Sequence, residues 1–207
     1  MARPLAADHE DKRRTFLKAA AGVFASQGYT RATMADIAGR TGMSKALIYH
    51  YYDNKEQLLV AIIREHLEDL VGAVEAADDP RLPPRARLRA LVGALLDRYR
   101  DADDEHRIQI NELSKLPESA AGALIGLERA LVRRFSAALA AAVPGLSAAP
   151  HLVKPVTMNL FGMLNWKYMW FRDDGPLGRE AYADLVTDMV IGGAAAVLRP
   201  PARVRPL

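Results

Sequence analysis

Apolar side chains recur at three- and four-residue intervals through most of the chain, which is the spacing of one face of an α-helix. Strict alternation of apolar and polar residues, typical of a half-buried β-strand, is scarce. The pattern therefore predicts an all-α protein with about nine helices. One helix follows Asn54 and ends near Asp78, and the others are predicted at about residues 9–27, 34–41, 45–51, 84–100, 104–115, 117–143, 150–171 and 176–198.

Three helix-start signals lie close together in the stretch TMADIAGRTGMSKALIYHYYDNKEQL, residues 33–58. They are the N-cap residue types Thr33, Ser44 and Asn54. Asp36 stands three residues after the first of them, which is the spacing of a capping box, and Gly42 permits the positive φ at which a helix ends. We therefore predict two short helices joined by a tight turn, the geometry of a helix-turn-helix whose second helix enters the DNA major groove.

The second of these short helices carries side chains that a packed core does not require. Lys45 is able to donate to guanine O6 and N7, and Ala46 to contact a thymine methyl group. Tyr49 and His50 are expected on the surface, and Tyr52 in the core. The capped helix starts would present backbone N–H groups to phosphates. The alternative is a three-helix unit with no role in DNA binding, because capped helices joined by a short turn also occur in ordinary bundles.

Charge is unevenly distributed between two predicted domains. Residues 1–55 contain nine Lys and Arg against five Asp and Glu, which gives +4, whereas nineteen against twenty in residues 56–207 gives −1. The positive balance at the start suits an anionic partner such as nucleic acid. We predict a DNA-binding helix-turn-helix domain over 1–55 and a ligand-binding and dimerisation domain over 56–207. The proline-rich break at 78–84 is the best candidate for a linker.

The helix predicted at 150–171 is apolar around most of its circumference, which indicates burial on two sides. One face is expected to meet its own domain and the other a second copy of the chain. The last helix carries Gly192 and Gly193, which allow another backbone to approach closely. Two helices from each copy would form a four-helix dimer interface. An intramolecular bundle without a dimer is the alternative.

Methionine and aromatic side chains of the second half are the candidates for an effector cavity, because such residues adapt to apolar guests. They are Leu131, Phe135, Met158, Phe161, Met163, Trp166, Met169 and Trp170. The alternative for any one of them is an ordinary place in the core.

Several classes of function find no support in the residues. The sequence contains no H-E-x-x-H, no G-x-S-x-G and no phosphate-binding glycine loop, and its lack of Cys excludes disulfides and thiolate chemistry. His66 is expected on a solvated helix face. We therefore predict no catalytic residues, no metal site and no cofactor, with an enzyme as the main competing class and a purely structural interaction protein as the third. No secretory signal or membrane span is evident, so a cytoplasmic location is expected.

Residues 10–60 also carry a family resemblance, concentrated in the helix-turn-helix stretch quoted above. That stretch resembles the DNA-binding signature of the tetracycline-repressor (TetR) family of transcriptional regulators. The resemblance implies a homodimer that reads a palindromic double-stranded DNA operator and represses until a ligand binds its C-terminal domain. It places Lys45 and Ala46 at base-edge positions; the positions of phosphate contacts are Thr33, Ser44, Tyr49, His50 and Lys55. The chain departs from the family at Ala46, where Gly is frequent, and at Tyr52, where Phe is frequent.

A second and shorter resemblance concerns the effector. The segment FGMLNWKYMWFRDDGPL, residues 161–177, is similar to a stretch in TetR-type regulators of fatty-acid and phenylacetate breakdown. It implies an acyl-CoA or aryl-CoA effector whose phosphates meet basic groups; these are Arg85, Arg89, His106 and Arg107. The alternatives are a hydrophobic small molecule or drug without coenzyme A, and ordinary surface ion pairs for the basic residues.

Overall fold

The computed structural model describes the backbone of residues 3–198 and the side chains from Lys12 to Leu198, and every regular element in that range is helical. The all-α prediction is confirmed. The helices are α1 Arg3–Gln27, α2 Met34–Thr41, α3 Lys45–Tyr51, α4 Lys55–Ala77, α5 Pro84–Arg98, α6 Asp103–Glu112, α7 Glu118–Ala142, α8 Pro150–Asn165 and α9 Arg179–Val197. No helix of this described part is both long and apolar enough to cross a membrane. The outer ends of the two predicted domains, 1–2 and 199–207, lie outside the described residues.

The chain divides into two compact units, and α4 and α7 contribute residues to both. The first unit contains the residues up to Asp69 together with Asp101–Leu127. Within it α1 packs against α2 and α6, and α2 packs against α3. Its core is built from side chains at helical spacing; fully buried members include Phe24, Ile37, Ile48, Leu58 and Ile63.

The second unit contains Leu70–Arg100 and the residues from Glu128 onward. Within it α9 packs against both α5 and α8. Its fully buried side chains include Leu88, Leu95, Phe135, Leu139 and Leu164. The predicted boundary between residues 55 and 56 is a functional division and stays a prediction, since the compact units are divided differently.

The proline-rich break predicted as a linker is a fixed turn of the second unit. The Asp78 carboxylate accepts from Arg87 at 2.6 Å and from Arg134 at 3.0 Å. The donated hydrogen bond from Arg87, followed by that from Arg134, holds the pKa of Asp78 below its usual value. Charge-assisted hydrogen bonds of this kind fix the chain where the proline pattern alone suggested freedom.

The end of α8 and the start of α9 differ from the sequence prediction. Helix α8 ends at Asn165, and only a short 3-10 turn, Lys167–Met169, continues it. The Asn165 side chain accepts a 2.8 Å hydrogen bond from the hydroxyl of Tyr99. Helix α9 begins at Arg179 and not at Pro176, and the buried Arg179 guanidinium donates to the Leu96 carbonyl and to Asp173. Tertiary hydrogen bonds thus set both boundaries.

Candidate nucleic-acid interface

The start of α2 is fixed by a complete capping box. The Thr33 hydroxyl oxygen accepts from the backbone N–H of Asp36 at 3.2 Å, and the Asp36 carboxylate accepts from the Thr33 N–H at 2.9 Å and from its hydroxyl at 2.6 Å. These donated hydrogen bonds, with a smaller effect of Lys45, lower the pKa of Asp36. The predicted capping box is confirmed, and it holds the first helix of the pair at a defined start.

The turn between α2 and α3 matches the helix-turn-helix prediction. Gly42 closes α2 with φ of 69°, and the Ser44 hydroxyl caps α3 by accepting from the Leu47 N–H at 3.2 Å. Ile37 and Ile48 are both fully buried in the unit's core. A buried Ile48 fixes the rotation of α3 about its axis, so the opposite side of this short helix faces outward.

The outward side of α3 presents the predicted DNA-reading residues. Lys45, Ala46 and His50 are exposed, and Tyr49 is 48% exposed. These residues carry an ammonium, a methyl group, an imidazole and a phenol on a rod of seven residues. Such groups are able to donate to base edges and phosphates and to contact thymine methyl groups. Tyr52 is half-buried and stacks on Phe16 with ring centroids 5.9 Å apart.

Lys55 occupies a different place from the one predicted. Its ammonium donates to the carbonyl oxygens of Tyr29, Thr30 and Ala32 at 2.7, 3.2 and 3.0 Å. An ammonium has three N–H donors, so these acceptors use its hydrogen-bonding capacity. The contacts tie the start of α4 to the loop between α1 and α2. Lys55 thus has a role within the protein, and its phosphate contact stays a prediction.

The cap of α4 also differs in one detail. The Asn54 side chain accepts from the Gln57 N–H at 2.9 Å, as an N-cap does. The Gln57 side chain, however, accepts from the Asp53 N–H at 3.1 Å and donates to the Asp53 carboxylate at 3.0 Å. In a complete capping box the Gln57 side chain would accept from the N–H of Asn54. It accepts instead from the N–H of Asp53, one residue earlier.

The predicted effector residues separate into a buried set and an exposed set. Leu131, Phe135 and Phe161 are buried, and the two phenyl rings meet edge to face at 5.1 Å. Met163 is half-buried. The structure brings these residues into the apolar interior of the second unit, where an apolar guest or ordinary packing are both compatible with their chemistry.

The exposed set does not line an interior. Met158 is 47% exposed and Trp166 and Trp170 are 55% and 56% exposed, so the structure does not support an interior cavity lined by them. Met169, at 61%, is exposed too. A helix that is apolar on two sides has the same sequence pattern for both sides, and only packing decides which side faces inward.

The predicted phosphate-binding cations are engaged with protein groups. Arg89 pairs with Asp184 at 3.1 Å and also with Glu180, and Arg85 donates to Asp188 at 2.8 Å. Arg107 is exposed and donates to the carbonyl of Ala25 at 3.5 Å. The arginines Arg85 and Arg89 lie in the second unit, whereas His106 and Arg107 lie in the first. The ion pairs favour the alternative of surface salt bridges for Arg85 and Arg89.

Sequence reasoning missed a buried histidine pair. His66 and His106 are 5% and 2% exposed, and Nε2 of the first lies 3.5 Å from Nδ1 of the second. Burial, followed by the neighbouring His106, lowers the pKa of His66 to about 3. The expectation of a solvated face for His66 is therefore wrong. The signal was available in the apolar spacing of α4, which includes position 66 between Ile62 and Leu70.

Two family models match the chain in adjacent regions. Residues 16–62 match the model described as bacterial regulatory proteins, tetR family, and residues 81–194 match the model described as tetracyclin repressor-like, C-terminal domain. The first match covers α2 and α3 with their caps. The second covers more than half of the chain.

Individual relatives extend this likeness over most of the length. The chain is 27% identical over 190 residues to the HTH-type transcriptional activator FasR of Mycolicibacterium smegmatis, covering 91% of this chain and 85% of the relative. A TetR-family transcriptional regulator from Bordetella parapertussis is 31% identical, with TM-score 0.81 over 91% of this chain and 98% of that structure. AibR, solved in complex with isovaleryl coenzyme A and operator DNA, is 27% identical, with TM-score 0.71 over 86% of this chain and 97% of AibR.

Proposed function

Because the chain belongs to the tetracycline-repressor family of bacterial transcriptional regulators, we propose that it binds a palindromic DNA operator as a homodimer and leaves it when a hydrophobic effector binds. The effector is an acyl-CoA or aryl-CoA, and the direction is repression relieved by the effector. Residues 1–55 supply the DNA-reading part, and residues 56–207 supply the effector and dimer contacts.

The outward side of α3 is the observation that carries the DNA proposal. The fully buried Ile48 holds the helix from behind, while the exposed Lys45 and Ala46 stand at its first turn. The first residues of a recognition helix are the ones that meet base edges in a helix-turn-helix. Lys45 therefore reads guanine and Ala46 contacts a thymine methyl group.

Phosphate contacts position this helix in the groove. The caps at Thr33 and Ser44 place the N-termini of α2 and α3 at the surface, where backbone N–H groups and the helix dipole attract phosphate oxygens. Tyr49 and His50, both exposed, add a hydroxyl and an imidazole as donors. These contacts set the register of the protein on DNA without reading sequence.

Helices α8 and α9 pack against each other, and the dimer proposal rests on the sides of these helices that face outward. Met158 and Trp166 are exposed on α8 or at its end, and Leu185 and Met189 are 44% and 57% exposed on α9. Glycines 192 and 193 on the exposed side of α9 permit close approach of a second backbone. Large apolar side chains that stay exposed on two neighbouring helices are expected to be covered, and a second copy of the chain covers them.

The effector proposal rests on the buried apolar group around Phe135 and on the likeness to a CoA-binding relative. The acyl or aryl part enters among Leu131, Phe135, Phe161 and Met163. Arg89 lies in the same unit and pairs with the carboxylates of Asp184 and Glu180. A coenzyme phosphate would replace these carboxylates as the partner of Arg89. His106 and Arg107 stay predictions for the coenzyme, and His106 is buried.

Release of DNA follows from linkage between the two binding events. An effector that binds better to a dimer with mis-spaced recognition helices must lower the protein's affinity for DNA. Bound DNA lowers the protein's affinity for the effector by the same factor. We infer that the chain is a regulator without catalytic residues and without enzymatic activity. We also infer a cytoplasmic location, because its proposed DNA partner lies there.

The test is a DNA-protection experiment with the purified full-length protein on the promoter regions that flank its own gene. We expect a protected palindrome whose half-sites lie about one helical turn apart. Binding to that duplex is then measured by gel shift at two salt concentrations, with and without isovaleryl-CoA and phenylacetyl-CoA. The same acids without coenzyme A serve as the matched controls.

Each outcome separates one part of the proposal. If no duplex is protected, DNA binding by α3 is wrong. If a duplex is protected and neither CoA ester weakens binding, the coenzyme part is wrong, and the alternative of a hydrophobic small molecule without coenzyme A takes its place. If the free acids act as well as the CoA esters, recognition does not involve the coenzyme phosphates.

A further inference from the structure

A cavity lies within the DNA-binding unit, between α1 and the helix pair α2 and α3. Its volume is about 640 Å³, and it is lined by side chains of those three helices together with Met43 and Tyr52, which follow α2 and α3. Ligand sites for small molecules have volumes of about 300 to 1,000 Å³. This cavity is separate from the effector residues proposed above, which belong to the second unit.

The interior of the cavity is apolar and aromatic. Phe16 and Tyr52, stacked at 5.9 Å, and the half-buried Met43 form its inner part. Leu47 and Tyr51 stand four residues apart on α3 and form one wall, with 42% and 50% of their surfaces exposed. Large apolar surfaces left open in a concave site favour an apolar guest, because its entry removes that surface from water.

The cavity also has a positive rim. Lys12, Arg13 and Arg40 are among its lining residues, and no acidic side chain is among the described residues that line it. Arg13 pairs with Glu65 at 2.7 Å, and the Arg40 side chain is exposed. An apolar interior with a cationic rim is complementary to a molecule with an apolar body and one anionic end.

We propose that this cavity binds an amphipathic organic anion, a medium- or long-chain carboxylate, as a second ligand site within the DNA-binding unit. The chain of the ligand lies against Phe16, Leu47 and Tyr51, and its carboxylate meets Arg40. The site differs from the effector site in position, in the unit that forms it and in requiring no coenzyme.

Occupancy of the cavity has a consequence for α3. Tyr51 in the cavity wall packs against His50, with ring centroids 5.2 Å apart. His50 is one of the proposed phosphate contacts. A ligand carboxylate would also neutralise cations beside the recognition helix and lower its attraction for phosphates. Competition between ligand and DNA rests on the proposed function, whereas binding of the ligand does not.

The experiment uses dansylaminoundecanoate, a fluorescent carboxylate whose emission increases in apolar surroundings, with the full-length protein in the absence of DNA. Decanoate and decanol are added as competitors that displace the probe from the cavity. We expect decanoate to displace it at a concentration about fivefold lower than decanol, because one exposed ion pair contributes up to about 1 kcal/mol. Arg40→Gln should remove this difference and leave displacement by decanol unchanged.

Leu47→Glu places a negative charge in the cavity wall and should weaken probe binding about tenfold or more. Leu82→Glu makes the same change at a 37% exposed leucine between α4 and α5 and should leave binding unchanged. Circular dichroism confirms the fold of each variant. Tyr51→Glu repeats the test from the second wall residue if Leu47→Glu does not fold.

Three results would overturn the inference. Probe binding that survives both wall substitutions places the ligand elsewhere, such as the effector site. Equal displacement by decanoate and decanol removes the role of the cationic rim. An Arg40→Gln variant that binds random-sequence DNA more weakly but decanoate as before makes the rim a phosphate contact. None of these results affects promoter protection, so a failure here and a failure of the proposed function are distinguishable.

Discussion

The ammonium nitrogen of Lys55 lies 2.7 Å from the carbonyl oxygen of Tyr29 and 4.5 Å from the centre of its ring. Lys55, at the start of α4, thus binds the loop that follows α1 through a hydrogen bond and a cation–π contact. A lysine expected at the DNA surface instead holds two parts of its own unit together.

Lys55→Met should therefore destabilise the protein. It keeps most of the side-chain stem and leaves three backbone carbonyls without their donor, so we expect the free energy of unfolding to fall by roughly 1 to 3 kcal/mol in urea titrations. Lys45→Met, at an exposed lysine, is the control and should change it by less than about 0.5 kcal/mol. If Lys55→Met keeps full stability and lowers the salt slope of DNA binding by about one unit, the residue contacts phosphate after all.

Lys45→Ala should weaken operator binding more than non-specific binding. A side chain that donates to guanine contributes about 1 to 3 kcal/mol of discrimination, whereas a phosphate contact contributes equally on every sequence. Affinities for the protected palindrome and for a scrambled duplex are measured at one salt concentration. An equal loss on both duplexes would rule out base reading by Lys45.

Thr33→Ala should loosen the start of α2. It removes the hydroxyl that accepts from the Asp36 N–H, and loss of an N-cap costs about 1 kcal/mol. Thermal unfolding followed by circular dichroism measures the change. Thr30→Ala, an exposed threonine of the preceding turn, is the matched control. Stability equal to that of the wild type would show that the capping box contributes nothing measurable.

The buried histidine pair predicts a pH dependence of stability. The pKa of His66 is about 3 in the folded protein against an ordinary value of 6.5, so between these values the unfolded chain binds a proton that the folded chain does not. The free energy of unfolding should therefore fall as pH falls from 6.5 towards 3, by up to about 1.4 kcal/mol per pH unit from this group.

This dependence is tested by urea unfolding at several pH values in that window. His66→Gln should show a smaller loss of stability per pH unit than the wild type, whatever its stability at neutral pH. His151→Gln, at an exposed histidine of α8, should keep the wild-type slope. If all three proteins have the same slope, the folded protein does not hold His66 neutral.

Met189→Asp should prevent dimerisation. Met189 is 57% exposed on the outward side of α9, and an aspartate there would bury an unpaired charge in the proposed dimer interface. Light scattering coupled to gel filtration at micromolar concentration should give a dimer for the wild type and a monomer for the variant. Leu82→Asp is the control at an exposed leucine outside α8 and α9 and should remain dimeric. A wild-type monomer would support an intramolecular bundle instead.

The sequence by itself determined the local features of this protein. The capping box at Thr33, the cap at Ser44 and the positive φ at Gly42 depend on residues within a few positions of one another, so the helix-turn-helix was predictable residue by residue. The same holds for Ile48 in the core and Tyr49 on the surface, because helical periodicity fixes which positions oppose each other.

Only the tertiary structure decided which partners the long side chains find. The sequence could not show that Lys55 meets a carbonyl 26 positions away, or that His66 meets His106 across 40 positions. It also could not tell the inward side of α8, with Phe161, from the outward side, with Met158, because both are apolar. Distant contacts depend on how helices pack, and periodicity within one helix carries no information about the helix opposite it.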